Sequence, residues 1–197
     1  MAKDTRSTIL TAAAAVLVKN PGATLAEIGS EAGVGRTTLH RYFPKRDDLL
    51  RALILASLRD IDDATADLAD ADQDAAARLL TVLEVLVPLG DRCHFLWLSP
   101  RAYEHEEAAA HYQRQLQQME ALADDLKREG WLGDDVPTRW FVAAMDSLIY
   151  TAWYDVENGY LAKREAPRLV HRTLLGQLGP KRADARTLAT PSPGVPR

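Results

Sequence analysis

Between Thr24 and Phe43 the chain reads TLAEIGSEAGVGRTTLHRYF. Its second half carries Arg36, Thr37, Thr38, His40, Arg41 and Tyr42, which are donors or aromatic handles with no acid among them. Such side chains suit the edges of stacked base pairs. Arginine grips guanine O6 and N7 with two hydrogen bonds, and threonine offers a hydroxyl or a methyl. Lys45 and Arg46 follow at the next helix start, where they and the backbone N–H groups suit phosphate. Thr24, at the head of the stretch, joins this DNA-facing set. Other chemistry fails on spacing. Cys93-His94 and Glu104-His105-Glu106-Glu107 with His111 have metal-ligand residue types. However, a helix turns His105 and His111 ~240° apart, and His-Glu-x-x-His is absent. The single cysteine, Cys93, excludes an intrachain disulfide and a thiolate zinc cluster. No G-x-S-x-G occurs, and Gly33-Val34-Gly35-Arg36 lacks the lysine and spacing of a phosphate loop. No nucleophile, base and orienting group assemble, so the expectation is no catalytic residue, no metal, no cofactor and no enzyme activity.

The DNA-compatible face needs a helix to carry it and a partner helix to hold it proud. Thr24-Leu25-Ala26-Glu27 has the form of a capping box, in which the Thr hydroxyl takes an orphan N–H and the Glu reaches back. Leu25, Ile28 and Ala32 share one face, and Gly33 ends this short helix as a C′ residue with positive φ. A further helix follows from about Gly35 to Phe43, before Pro44. Gly29 lies where the two helices approach, and its missing side chain permits the approach. Helix, glycine turn and base-rich helix together meet the requirements of a helix-turn-helix.

The remainder is helical by period. Ile9, Ala13, Val16 and Leu17 predict a helix over 5–19, stopped by Asn20-Pro21-Gly22. Further helices are predicted over 47–68, 75–89, 100–128, 138–157 and 166–178, with Arg92 to Leu98 as a short connecting segment. Pro88, Gly90 and Asp91 are read as a break, and Ser99-Pro100 as a cap with proline at the first helical position. The seven acids between 60 and 74 read as a solvated helix end and loop. No stretch alternates as a strand does. The tail over 180–197, with Pro180, Pro191, Pro193 and Pro196, lacks apolar period and reads as mobile.

Composition sets the limits. The chain has 197 residues, 47% hydrophobic and 26% charged, enough for one sizeable core or a small module joined to a larger one. The net charge of −4 excludes a histone-like protein. Its distribution is uneven, since residues 1–51 hold eight bases against five acids and the rest is acidic. A basic head on an acidic body points the head at a polyanion. No apolar run reaches the 18 residues of a membrane span, so the expectation is a soluble, cytoplasmic protein with no membrane partner.

The segment GVGRTTLHRYFPKRDDLLRALI resembles the N-terminal domain of the TetR family of bacterial transcriptional regulators. Gly33, Val34, Thr38, Leu39, Tyr42, Phe43, Leu49 and Leu50 match the family pattern, and the match covers about residues 8–55. Two positions depart from it. Gly35 stands where serine is usual, at a cost of only a few tenths of a kcal/mol in capping. His40 stands where a phosphate-touching tyrosine is usual. It can still donate, and it makes binding a candidate for pH dependence.

The resemblance implies an all-α fold. An N-terminal three-helix DNA-binding domain with the helix-turn-helix occupies 1–46, and a larger helical ligand-binding and dimerisation domain occupies 47–179. The residues of 138–157 bear apolar groups on two sides, which requires two packing partners. With 166–178 they are expected to form a four-helix interface in a homodimer, through Leu148, Ala152, Val170, Leu174 and Leu178. Two recognition helices would then read a palindrome in double-stranded DNA, with half-sites in steps of ~34 Å. The family also implies a pocket for a small-molecule effector. Its candidate lining is Phe95, Trp97, Tyr103, Tyr112, Met119, Trp140, Met145, Asp146, Tyr150 and Trp153. Asp146, in an apolar stretch, either orients a cationic or hydroxylated ligand or is a helix-edge acid paired with arginine or water. For any single aromatic, core packing is the competing role.

The expected function is therefore a dimeric DNA-binding regulator, a repressor released by ligand. The alternative is a helical carrier or enzyme with a vestigial head. The outer face of 36–42, still rich in DNA-compatible groups, favours the first.

Overall fold

A computed structural model describes residues 4–66, 68, 73–99 and 106–178 of the chain. Among these residues there is no strand. Helix α1 spans Thr5–Lys19, α2 Leu25–Glu31, α3 Arg36–Tyr42 and α4 Arg46–Thr65. They are followed by α5 Ala75–Leu86, α6 Gly90–Leu98, α7 Glu106–Arg128, α8 Thr138–Glu157 and α9 Ala166–Leu178. The expected all-α architecture is present. Tyr103 and the tail over 180–197 lie outside the described residues, as does Pro100 of the expected cap.

In the head, α1 contributes the buried Ile9, Leu10, Ala13, Ala14 and Leu17 against Ile28 of α2, Leu39 of α3 and the following Phe43. α4 starts at Arg46 under the head and runs into the body, where Ile54, Leu58 and Ile61 are buried. It ends at Thr65, earlier than the period alone suggests. In the body α6 packs chiefly on α8, and α8 packs on α9 and α7.

The segment from Pro88 to Leu98 departs from expectation. Pro88 sits inside a single 3₁₀ turn, Val87–Leu89, and Gly90 is the first residue of α6 rather than a break. The reason is contact. A Cβ at residue 90 would stand 2.5 Å from Trp153 Cβ and 3.0 Å from the Ile149 carbonyl oxygen. Only glycine lets α6 rest on α8 at this point.

The next residue, Asp91, is buried with it. Burial pushes its carboxyl up to about 6, with Glu157 adding repulsion and the Arg92 N–H, bonded at 2.9 Å, opposing the rise. A raised acid has its lowest cost when protonated, so stability is lost as pH climbs from about 4 to about 6 and is then level. The linkage amounts to about 3 kcal/mol. Asp91→Asn is expected to match the parent protein at pH 4 and to exceed it by about 1–3 kcal/mol at pH 7.5. Urea unfolding at one fixed protein concentration checks both values.

Candidate nucleic-acid interface and effector cleft

The helix-turn-helix is built as its glycines require. A Cβ on Gly29 would meet Leu39 Cδ2 and the Val34 carbonyl oxygen at 3.3 Å each. Gly33 has φ +66°, and the chain closes behind it with Val34 N–H donating to Gly29 O at 2.9 Å. The capping box is complete. Glu27 N–H donates to Thr24 Oγ1 at 3.2 Å, while Thr24 N–H and its hydroxyl donate to Glu27 Oε2 at 2.6 and 2.7 Å. The Thr24 hydroxyl proton is therefore used within the box. These bonds from Thr24 hold the Glu27 carboxyl below its ordinary range.

On α3, Arg36, Thr37, His40 and Arg41 are exposed and Leu39 is buried beneath them. Thr38 and Tyr42 are half-buried. Tyr42 packs against the core and carries the Arg41 guanidinium over its ring at 5.2 Å. A groove between α2 and α3 is lined by Thr24, Ala26, Arg36, His40 and Arg46 among others. Lys45 is exposed, and its backbone N–H donates to Asp48 Oδ2 at 3.0 Å. Arg46 differs from the expectation of a phosphate ligand. Its guanidinium turns inward and donates to Ala23 O and, at 2.7 Å, to Pro21 O. It ties the α1–α2 loop to α4.

In the body a cleft opens between α4, α6, α7 and α8. Of the expected lining it holds Trp97, Tyr112, Met119, Met145 and Asp146. It adds Cys93, Gln115, Gln118 and Thr65, which the sequence reading missed. The two glutamines share the helical stripe of Tyr112 and Met119, so period was the available signal. Four other candidates are elsewhere. Phe95 is buried in the core, and Trp140 is 64% exposed on the surface. Trp153 packs on Gly90. Tyr150 stacks on His94, with ring centroids 4.1 Å apart and planes at 15°. Asp146 is paired with a histidine rather than an arginine. Its Oδ2 lies 3.0 Å from His94 Nδ1. His111 is paired with Asp62 at 2.7 Å across α4 and α7.

α6 also reaches the head. Arg92 donates to Thr11 Oγ1 of α1 at 3.1 Å and is paired with Asp60 of α4. One turn later the same helix lines the cleft with Leu96 and Trp97.

The expected interface residues need correction. Ala152, Val170 and Leu174 are buried within the protomer, because α8 and α9 spend that side on α5, α6 and each other. Leu148 is half-buried, and the side chain of Leu178 lies outside the described residues. The outer side of α8 instead presents Trp140, Ser147, Thr151 and Tyr154, with Leu169 exposed on α9.

Among the described residues no helix is long and apolar enough to cross a membrane. Residues 9–53 match the model of the bacterial regulatory proteins of the tetR family. The chain is 34% identical over 158 residues to the HTH-type transcriptional repressor LfrR of Mycolicibacterium smegmatis, covering 79% of this chain and 80% of that protein. A crystal structure of the TetR-like regulator LfrR from Mycobacterium smegmatis in complex with proflavine superposes with a TM-score of 0.64 at 29% identity. It covers 86% of this chain and 93% of that one. The MbdR regulator from Azoarcus sp. CIB shares the fold with a TM-score of 0.63 at 20% identity, over 89% and 99% of the two chains.

The two neighbouring bases of the head test its geometry. Arg46→Ala is expected to lower stability by about 1–3 kcal/mol, since two carbonyls lose a charged donor. Lys45→Ala should leave the melting temperature unchanged and reduce the salt dependence of DNA binding by about one ion. Thermal denaturation and titrations at several salt concentrations separate the two roles.

Proposed function

The chain belongs to the TetR family of bacterial regulatory proteins, and from that premise we propose that it is a dimeric repressor released from a palindromic operator by a planar aromatic cation. It is a DNA-binding transcriptional regulator of that family. The observation that carries the finer reading is the outward set Arg36, Thr37, His40 and Arg41 on a helix held up by Gly29 and Gly33. In this reading residues 1–46 read DNA, with Arg36 and Thr37 toward bases and Lys45 toward phosphate. Arg46 and Thr24 act by holding the loop and helix start in place. Residues 47–179 take the ligand and the partner subunit.

The cleft supports the effector class. Trp97 and Tyr112 supply aromatic rings, Met119 and Met145 polarisable fill, Thr65, Gln115 and Gln118 neutral polar groups, and Asp146 a carboxylate. The relative LfrR has been crystallised with proflavine, itself a planar aromatic cation. Coupling to the head runs through α6, which lines the cleft and holds α1 and α4 by Arg92. A ligand releases DNA only by preferring one setting of α6 over the other.

For the dimer, the outer stripe of α8 supports close approach of a second α8. Ala143, Ala144, Ser147 and Thr151 are small, and the exposed Trp140, Tyr154 and Leu169 add apolar area. The packed sides of α8 and α9 are already occupied, so the partner meets this stripe.

Selection of bound sequences from random duplexes tests the DNA reading, and the expected product is an inverted repeat. On that site Arg36→Ala is expected to cost about 1–3 kcal/mol, and clearly less on random DNA. Equal losses on both would move Arg36 from bases to phosphate. Thr151→Arg, a change on an exposed helix face, should yield a folded monomer by sedimentation. Leu174→Asp should unfold the chain through a buried unpaired charge. A folded Thr151→Arg dimer would remove the stripe from the interface.

A further inference from the structure

We propose that His94 sets the charge of the effector cleft: its ring holds the Asp146 carboxylate at the cleft wall, and protonation of that ring cancels the carboxylate's attraction for a cationic effector. This rests on the reading of Asp146 as the group that meets the cation. Asp146 is among the residues that line the cleft and His94 is not. The pair is shielded, with side chains 18% and 11% exposed, and Nδ1 lies 3.0 Å from Oδ2. Tyr150, stacked on the ring, fixes its plane. A neutral ring donates one N–H and leaves Asp146 with its full charge. A protonated ring makes the pair neutral.

The surrounding groups do not take over this part. On α6, Arg92 is committed to Asp60 of α4 and Thr11 of α1. Burial pushes the Cys93 thiol far up, with Asp146 and Asp91 adding to the rise, and keeps it neutral. On α8, burial raises the Tyr150 phenol, and Tyr154 adds to it, so it too is neutral at these pH values. On α1, Lys19 sits over the Trp153 and Tyr154 rings, 5.7 Å from each. Across the cleft, Asp62 of α4 is paired with His111 of α7. Glu120 and Arg139 stand on the outer mouth beside Tyr112. Asp91, near Glu157, itself titrates close to pH 6, and His111 is a second imidazole beside the cleft. The experiment must therefore separate both from His94.

The probes are 10-methylacridinium, a cation at every pH, and acridone, a neutral molecule of similar shape, titrated into the full chain by fluorescence. For the parent protein the affinity for 10-methylacridinium is expected to fall roughly tenfold between pH 8 and pH 5.5, and acridone should show no such fall. His94→Asn keeps a donor near the Nδ1 position and cannot be charged. It should bind the cation as the parent does at pH 8 and show a flat profile. His94→Phe keeps the stack on Tyr150 and loses the donor, so it should bind the cation severalfold more weakly at pH 8 and acridone unchanged. A fall with acid that survives in His94→Asn places the titration on another group, Asp91 or the His111–Asp62 pair, and overturns the proposal. So does a His94→Phe protein that binds the cation as tightly as the parent. If Asp146→Asn binds the cation normally, or the parent binds neither probe, the reading of Asp146 itself fails and takes the proposal with it. Far-ultraviolet circular dichroism and retention of operator DNA confirm that each variant is folded.

Discussion

The seat of α6 on α8 is the constraint on which the rest of the body depends. It exists because residue 90 has no side chain, since even one Cβ would overlap Trp153. Once Gly90 is seated, the direction of each following residue is set by the helix. Asp91 turns into the core, Arg92 toward α1 and α4, Cys93 toward the cleft, and His94 toward Asp146. Four consecutive residues thus meet four different neighbours, which is possible only for a helix enclosed on nearly every side. A buried acid at its first turn is a cost that the surrounding apolar contacts must exceed.

The head obeys a smaller version of the same rule. Gly29 allows α2 and α3 to touch, and Gly33 turns the chain between them. Leu39 then anchors a seven-residue helix that could not persist alone. With one residue of α3 fully buried, most of its surface is left for DNA. Arg46 completes the arrangement from the other side by holding the Pro21–Ala23 carbonyls. The loop is thereby fixed against α4, the helix that enters the body.

The head was legible because its signals are local. The capping box, the glycine turn and the outward polar set are all spaced within one turn or two, and backbone geometry alone relates them. Helix α8 was legible in extent but not in use. Its two apolar sides were read as core plus partner, yet the observed burial of Ala152, with Val170 and Leu174 on α9, is within one protomer. Period says that a face is covered and does not say by whom. Gly90 was read as a helix breaker because propensity describes an isolated chain, whereas its place is decided by a helix some sixty residues later. The partners of Arg46 and Asp146 are hidden from the sequence for the same reason. A charged residue's role depends on the nearest opposite dipole, and Ala23 O and His94 Nδ1 are far off in sequence.

The energy scale of the α6 contacts fits the proposed coupling. Coupling between ligand and DNA in such proteins has to be a few kcal/mol, enough to change affinity by one to two orders of magnitude and small enough to be reversed. A charged hydrogen bond such as Arg92 to Thr11, together with the Arg92–Asp60 pair, is in that range. A much larger and wholly apolar junction between head and body would hold one setting only. Here the apolar seat at Gly90 fixes one end of α6, while Trp97 and Leu98 at its other end are exposed. The polar tie to the head lies two residues from the fixed end. In the proposed coupling, the contact to be broken or kept has a strength comparable to the coupling it would transmit.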